Sequence, residues 1–269
     1  MDLQYPLDDY NLDEFISVAA GFGQKEFGFV VTPNVDHLIR FHDDAEFRAA
    51  YGDATFILLD SRVLSGIFRL VKRLSAKVCT GSDLTEQLFQ RVIMPADRIV
   101  LVGGSDAQMH ALTAKFGLTG LSHFNPPMGF IKDPKAVEDC LRFVEANSPF
   151  RFCFLAVGAP QQEILARRLK QRGIARGIAF CIGASINFLT GDERRAPRWM
   201  QRIGLEWLFR LLGDPTRLAP RYLLRGPRIL TLLGRTRVRL RPRGAFASVG
   251  LPNTFAPARA AAQRSPESV

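Results

Sequence analysis

Two polar segments that follow apolar runs carry the residue types that acid–base chemistry needs. Thr32, Pro33 and Asn34 follow the run FGFVV, and Asp60 ends the run ATFILLD. If the two runs are adjacent strands of an α/β unit, their ends meet in one crevice. A carboxylate there can act as general base, while Thr or Asn positions a hydroxyl. Asp60 suits the N-cap of a following helix equally well, since Asp is a strong capping residue. A third polar end, Gly103, Gly104 and Ser105 in VLVGGSDAQ, lies between an apolar run and a helical pattern. Backbone N–H groups and the helix dipole can cradle phosphate at such a turn, although tight strand–helix packing accounts for the glycines as well. The segment lacks the third glycine of G-x-G-x-x-G and the lysine of a P-loop, which disfavours a nicotinamide dehydrogenase or a P-loop nucleotidase.

The second chemical signal is charge. All fourteen basic residues between Arg194 and Arg243 are arginines, set against only Glu206 and Asp214, whereas residues 1–193 hold twenty Lys+Arg and twenty-three Asp+Glu. The net charge of +10 therefore comes from a late arginine stripe, interleaved with Trp199, Trp207, Phe209 and Tyr222. Arginine binds phosphate bidentately and keeps its charge when partly desolvated. An anionic membrane, nucleic acid and a diphosphate substrate all fit this surface. Arg198, Arg202, Glu206 and Arg210 fall at i, i+4 steps beside a stripe of Trp199, Ile203 and Trp207. The same spacing also reads as a solvated amphipathic helix in which Glu206 neutralises its neighbours. No D-x-D and no H-E-x-x-H occurs, and His37, His42, His110 and His123 show no ligand spacing. Neither a metal nor another cofactor is expected, so neutralising a diphosphate falls to arginine and backbone amides.

The elements that must position these residues show in the periodicity. EFGFVVTPN, ATFILLD, RIVLVGGS, FRFCFLAVGAP and IAFCIGAS read as buried parallel strands. Helical patterns run from Val35 to Tyr51, Asp83 to Val92, Asp106 to Phe116, Pro134 to Asn147 and Gln161 to Arg172. This alternation predicts an α/β, Rossmann-like, mostly parallel sheet with flanking helices over residues 1–195. An arginine-rich helical appendage is expected over 196–244, in segments from Pro197 to about Leu212 and Thr216 to about Leu233, followed by a disordered tail over 245–269. In such folds ligands bind beyond the carboxyl ends of the strands. Thr32, Asn34, Asp60, Gly103 to Asp106, Gly158 to Glu163 and Gly183 to Asn187 are therefore the candidates. Cys79, Cys140, Cys153 and Cys181 read as reduced, buried thiols. No apolar stretch is long enough to span a bilayer and the N-terminus is acidic, so a cytoplasmic protein is expected.

TPNVDHLIR with LLDSRV, TGSDL, AVGAPQQE and the long GASINFLTGDERRAPRWMQRIGLEWLFRLLGDPTRLAPRYL together resemble the WecG/TagA/CpsF family of bacterial glycosyltransferases, over roughly residues 28 to 224. The resemblance implies an inverting transfer of a sugar from a nucleotide-diphosphate donor, usually UDP-linked, to a polyprenyl-diphosphate-linked sugar at the inner face of the membrane. The products are surface polysaccharides, with an exopolysaccharide glucosyl branch favoured here. By the same resemblance Asp60 is the catalytic aspartate, and Thr32 and Asn34 stand beside the substrate. Gly158, Pro160, Gln162 and Glu163 would line the donor pocket with Gly103, Gly104, Ser105, Gly183 and Asn187. Arg194, Arg195, Arg198, Arg210, Arg217 and Arg221 would reach the diphosphate or the membrane. Ser61 stands where many relatives carry Gly, and Asn187 where many carry Asp. A peripheral association with anionic membrane and a homo-oligomer are implied as well. The competing reading is a nucleic-acid-binding protein using the arginine-rich helices, which no helix-turn-helix, zinc or aromatic-sheet motif supports.

Overall fold

The computed structural model describes residues 3–242, apart from the side chains of Arg217, Arg221 and Leu224. The strands are β1 (Leu3–Asp8), β2 (Phe27–Val31), β3 (Phe56–Ile57), β4 (Ile99–Val102), β5 (Leu121–Phe124), β6 (Phe152–Leu155), β7 (Gly177–Cys181) and β8 (Thr236–Arg241). The helices are α1 (Leu12–Gly21), α2 (Val35–Asp43), α3 (Ala45–Asp53), α4 (Arg62–Lys72), α5 (Gly81–Arg91), α6 (Asp106–Phe116), α7 (Pro134–Ala146), α8 (Gln161–Arg172) and α9 (Ser185–Thr190). Four more follow in the arginine-rich region: α10 (Arg198–Arg202), α11 (Glu206–Gly213), α12 (Pro215–Ala219) and α13 (Arg228–Gly234), with a wider turn over Pro220–Arg225.

Six strands form one sheet in the order β3-β2-β7-β6-β4-β5, every pair parallel. Its central strands are apolar on both faces, as a doubly covered parallel sheet requires. Alternate residues face opposite layers. Phe29, Val100, Val102, Cys153 and Ala179 join a core with Leu38 and Phe41 of α2, Val137 and Leu141 of α7, and Leu165 of α8. Val30, Leu101, Phe154 and Phe180 join the other, with Phe15 of α1, Leu88 and Phe89 of α5, and Phe116 of α6. The rings of Phe154 and Phe180 stack 5.6 Å apart. All four cysteines are buried free thiols.

The α/β expectation thus holds, with three departures. Asp44 breaks the helix expected from Val35 to Tyr51. It ends α2 in an extended conformation and accepts hydrogen bonds from the N–H groups of Glu46 and Phe47 as the cap of α3. The helices expected from Pro197 to Leu212 and from Thr216 to Leu233 are each broken into shorter pieces, the first interrupted at Gly204 in a left-handed conformation, φ 79°. Finally, the arginine-rich region does not end as a helix. Its last segment is β8, which pairs in parallel with β1, Leu3 opposite Thr236 and Asp8 opposite Arg241. The expected tail over 245–269 lies outside the described residues.

The β1–β8 pair is fastened to the main sheet by ionic contacts. The Asp8 carboxylate accepts the Ile57 N–H at 2.7 Å and two hydrogen bonds from the Arg241 guanidinium, which also donates to the carbonyls of Ala54 and Thr55. Arg228 binds Asp43 bidentately at 2.9 and 3.0 Å, and His42 Nε2 lies 2.8 Å from Thr236 Oγ1. Both fix the appendage to α2. Removing the Arg241 side chain strands a nearly buried carboxylate and two carbonyls. Arg241→Ala is therefore expected to destabilise the protein by on the order of 2–3 kcal/mol and to speed proteolysis within the arginine-rich segment. A thermal melt and a timed digestion mapped by mass spectrometry check this.

Candidate active site

Asp60 sits two residues beyond Leu58, where β3 has ended, and its position is set by backbone groups. Its N–H donates to the Pro33 carbonyl at 2.8 Å, and its Oδ1 accepts the Gly81 N–H at 2.9 Å. Since β2 and β3 are neighbours, the Thr32–Asn34 end and Asp60 do share a crevice. The capping role that Asp60 could have filled belongs to Ser61, whose Oγ accepts the Leu64 N–H at 3.1 Å. Ser61 takes an extended backbone, φ −138°, open to any residue, so the absence of glycine there imposes no strain.

The crevice opens into a cavity of about 340 Å³. Asn34, Val35, Asp36 and Ile39 form one side, Asp60 to Val63 and Ile67 another, and Thr80 and Ser82 a third. The remaining wall is the appendage: Gln201, Gly204, Glu206, Trp207 and Arg210, then Tyr222, Gly226 and Ile229. Trp207 and Tyr222 meet edge to face at 6.0 Å. Removal from water is the main influence on Asp60 and pushes its carboxyl up to about 7. The Gly81 N–H opposes this, the negative charges of Glu206 and Asp83 reinforce it, and the positive charge of Arg210 opposes it again. A base with such a pKa can both accept and release a proton near neutrality.

The candidate residues separate into groups. Asn34 lines the cavity, but its Oδ1 caps α2 through the N–H groups of Asp36 and His37 at 3.1 and 3.3 Å, which leaves its Nδ2 for a ligand. Thr32 lies one layer behind, buried, with Oγ1 at 3.4 Å from the Cys181 carbonyl and close against Gly81. Arg210 lines the cavity, its guanidinium 5.6 Å over the Phe188 ring and 4.0 Å from Glu193. Arg195 does not line it. Its Nη1 is engaged by Asp83 at 2.7 Å and Glu86 at 3.4 Å, a brace between the appendage and α5. Arg194 and Arg198 are exposed, and the side chains of Arg217 and Arg221 lie outside the described ones.

Gln162 and Glu163, expected in the donor pocket, face inward and are fully buried. Gln162 Oε1 accepts the Gly183 N–H at 2.9 Å and its Nε2 donates to Glu163 at 2.7 Å, tying the end of β7 to the start of α8. Glu163 lies 4.0 Å from His37, whose Nδ1 is 2.8 Å from the Tyr51 hydroxyl. Gly103, Gly104 and Ser105 follow β4, beside the end of β6, and none of them lines the cavity around Asp60. Gly103 has φ 92°, and a Cβ there would stand 2.9 Å from the Ala156 backbone, so close strand packing requires this glycine. Ser105 and Gln108 form a capping box on α6, and Gln108 reaches on to Asn187 at 3.0 Å. Asn187 also donates to Glu193 at 2.9 Å, organising the turn after α9. Gly158 and Pro160 lead into α8, with the Gly158 carbonyl accepting the Gln162 N–H.

Thr80, Gly81 and Ser82 stand in the TGSDL motif and Tyr222 in the aromatic stripe, yet neither pattern gives them a place beside Asp60, nor does it show the pocket-facing side of Glu206. Gly81 acts through its backbone N–H, which no side-chain pattern reports. Glu206 sits in an i, i+4 row of arginines, and only the fold shows that it turns toward Asp60.

Fold and site together define a Rossmann-like α/β protein with a desolvated carboxylate beneath a cationic lid. The model of the Glycosyl transferase WecG/TagA/CpsF family matches residues 2–243, and the chain belongs to that family. The match extends the motif resemblance at both ends, to include β1 and β8.

Burial also pushes the Glu163 carboxyl up, to about 7 from an ordinary 4.5. In the unfolded chain this group ionises first, so its stabilising effect is complete below about 4.5 and is lost as pH rises toward 7. Glu163→Gln, which keeps an acceptor for Gln162, is expected to remove on the order of 2–3 kcal/mol of this pH dependence. Denaturant melts of both proteins from pH 5 to 8 measure it, and parallel slopes would show Glu163 to be hydrated.

Proposed function

We propose that this glycosyltransferase moves a sugar from a nucleotide-diphosphate donor, UDP-linked, to a polyprenyl-diphosphate-linked sugar, with inversion at the anomeric carbon, in surface polysaccharide assembly. What supports the reading most directly is one juxtaposition, Asp60 and Arg210 lining a single cavity, close enough for the Arg210 charge to act on the Asp60 carboxyl. The Asp60 carboxylate takes the proton of the acceptor hydroxyl as that oxygen attacks the anomeric carbon. The bond from carbon to the diphosphate oxygen breaks, and the nucleoside diphosphate leaves with the electron pair. Arg210 faces the negative charge that builds on the leaving group. Asn34 Nδ2 orients a substrate hydroxyl, and the nucleotide extends out of the cavity over the carboxyl ends of β7 and β4, toward the turns at Gly183–Asn187 and Gly103–Ser105. With the base on the acceptor side, displacement is direct and no covalent intermediate is needed. The aromatic lid of Trp207 and Tyr222 keeps water from the donor.

The lipid acceptor requires the site to reach a membrane. Among the described residues no helix is long and apolar enough to cross one. The appendage instead offers Trp199 and Ile203, each about three-fifths exposed, beside arginines. Apolar side chains at the headgroup level and roughly 1 kcal/mol for each basic residue near an anionic surface hold such a segment on the membrane.

Asp60→Asn is expected to lower turnover by roughly a thousandfold or more while UDP binding persists. Loss of UDP binding with turnover would make Asp60 a structural residue instead. Because the base must be ionised, kcat/KM of the unaltered enzyme should rise with pH through about 7. Arg210→Ala should cost on the order of a hundredfold in kcat, with a smaller change in acceptor KM. A transfer assay over several UDP-sugars, with a short lipid-diphosphate sugar as acceptor, supplies each readout, and absence of transfer from every donor would remove the proposal.

A further inference from the structure

α4 carries more apolar surface than the fold covers. Leu64 and Phe68 are buried in the core, yet Leu70 is 80% exposed and Val71 57%. Val63, Ile67, Leu70 and Val71 are spaced i, i+4, i+7 and i+8, so they form one stripe beside the buried one. The first two of these line the cavity. Arg62, Arg69 and Arg73 are exposed around the stripe and Lys72 is half-buried. No Asp or Glu occurs from Ser61 to Ser82. Among the described residues none of these four cations has a carboxylate partner.

The stripe is continuous with the appendage. Gly204, in the turn after α10, abuts the first turn of α4, and a Cβ there would lie 3.6 Å from Arg62 Cβ and Val63 Cγ2. Trp199 and Ile203, 60% and 62% exposed, stand just before that contact. The cavity lies between the two elements, with Ile67 on one wall and Trp207 on another.

We infer that α4 is a second membrane-inserting element, and that with α10 it straddles the route by which a lipid-linked diphosphate enters the cavity. This rests on the lipid acceptor of the proposed function. An exposed apolar stripe on a helix that carries no acid of its own, and whose four cations have no carboxylate partner among the described residues, complements an anionic bilayer: leucine and valine enter the acyl boundary while arginine and lysine reach back to lipid phosphates. A protein partner would have to present several carboxylates matched to four clustered cations, whereas an anionic headgroup layer offers phosphates wherever they fall. With α4 at headgroup level, the diphosphate of an anchored acceptor arrives beside Arg62 and passes toward Asp60 while its chain stays in the lipid.

The test uses the full chain with vesicles of phosphatidylglycerol and phosphatidylcholine, and with phosphatidylcholine alone. Leu70→Asp/Val71→Asp and, separately, Arg69→Glu/Arg73→Glu are expected to weaken co-sedimentation with the mixed vesicles by about tenfold or more. Turnover on a water-soluble, short-chain acceptor should stay unchanged, and turnover on vesicle-embedded acceptor should fall. Because the native cysteines are buried, Leu70→Cys accepts an environment-sensitive fluorophore selectively, whose emission should rise on the mixed vesicles only. This readout stands even if a charged variant folds poorly. Unaltered vesicle binding in both double variants, or a fluorophore at residue 70 that does not respond, overturns the inference. A change in native mass in Leu70→Asp/Val71→Asp with vesicle binding intact also overturns it, making the stripe a subunit contact. A wild-type protein that binds vesicles through residue 70 yet transfers no sugar would leave the surface standing and remove the proposed reaction.

Discussion

The structure depends on the carboxylate of Asp8. It lies at the end of the first strand and accepts hydrogen bonds from the N–H of Ile57, in β3, and from the guanidinium of Arg241, in the last strand. One nearly buried group thus joins the start of the chain, the strand that leads to Asp60, and the far end of the arginine-rich region. With β8 held against β1 and Arg228 held by Asp43, the segment between α9 and β8 must cross the carboxyl ends of β2 and β3. That crossing makes the cavity wall. A buried pair of this kind contributes little net stability against an apolar alternative, yet losing either partner is costly, so it works chiefly to specify where the segment returns.

Once the segment is in place, the electrostatics of the site follow. Asp60 is withdrawn from water beneath the lid, and the neighbouring negative charges of Glu206 and Asp83 act in the same direction. Arg195 compensates by engaging Asp83 and Glu86 and lying 4.0 Å from Glu206, which keeps the carboxylates around Asp60 from standing bare. Arg210 is less committed. It rests over Phe188 with its nearest carboxylate, Glu193, at 4.0 Å, and so remains available within the cavity. Two arginines predicted together from sequence therefore differ in use: one braces the lid and the other faces the space it encloses.

Much of the fold was legible because its signals are local. The five apolar runs became β2, β3, β4, β6 and β7, since a strand covered on both faces must be apolar throughout. β5 was missed because LSHF is short and half-exposed at the sheet edge, and β1 because Pro6 interrupts LQYPLD. Asp44 as a mid-pattern cap was missed for a different reason: the apolar spacing of α2 and α3 runs through it almost unbroken. At the site, the approach of the Thr32–Asn34 turn to Asp60 follows from strand adjacency, though only Asn34 and Asp60 line the cavity and Thr32 stays buried behind it. The inward turn of Gln162 and Glu163 does not, because a polar pair at a helix start has the same spacing whether it faces a ligand or the core.

The sequence by itself determined the alternation of strands and helices, the neutral body with an arginine-only end, and Asp60 at a strand tip. Each is a property of composition or of neighbours a few residues apart. Tertiary structure alone decided that Leu3 pairs with Thr236, that Ser61 rather than Asp60 caps α4, and that Arg210 and Glu206 meet Asp60 across a cavity. The first and last depend on contacts between distant segments, which leave no period in the chain; the choice of cap is local in sequence but is settled by the Pro33 carbonyl and the Gly81 N–H, which hold Asp60 in the crevice.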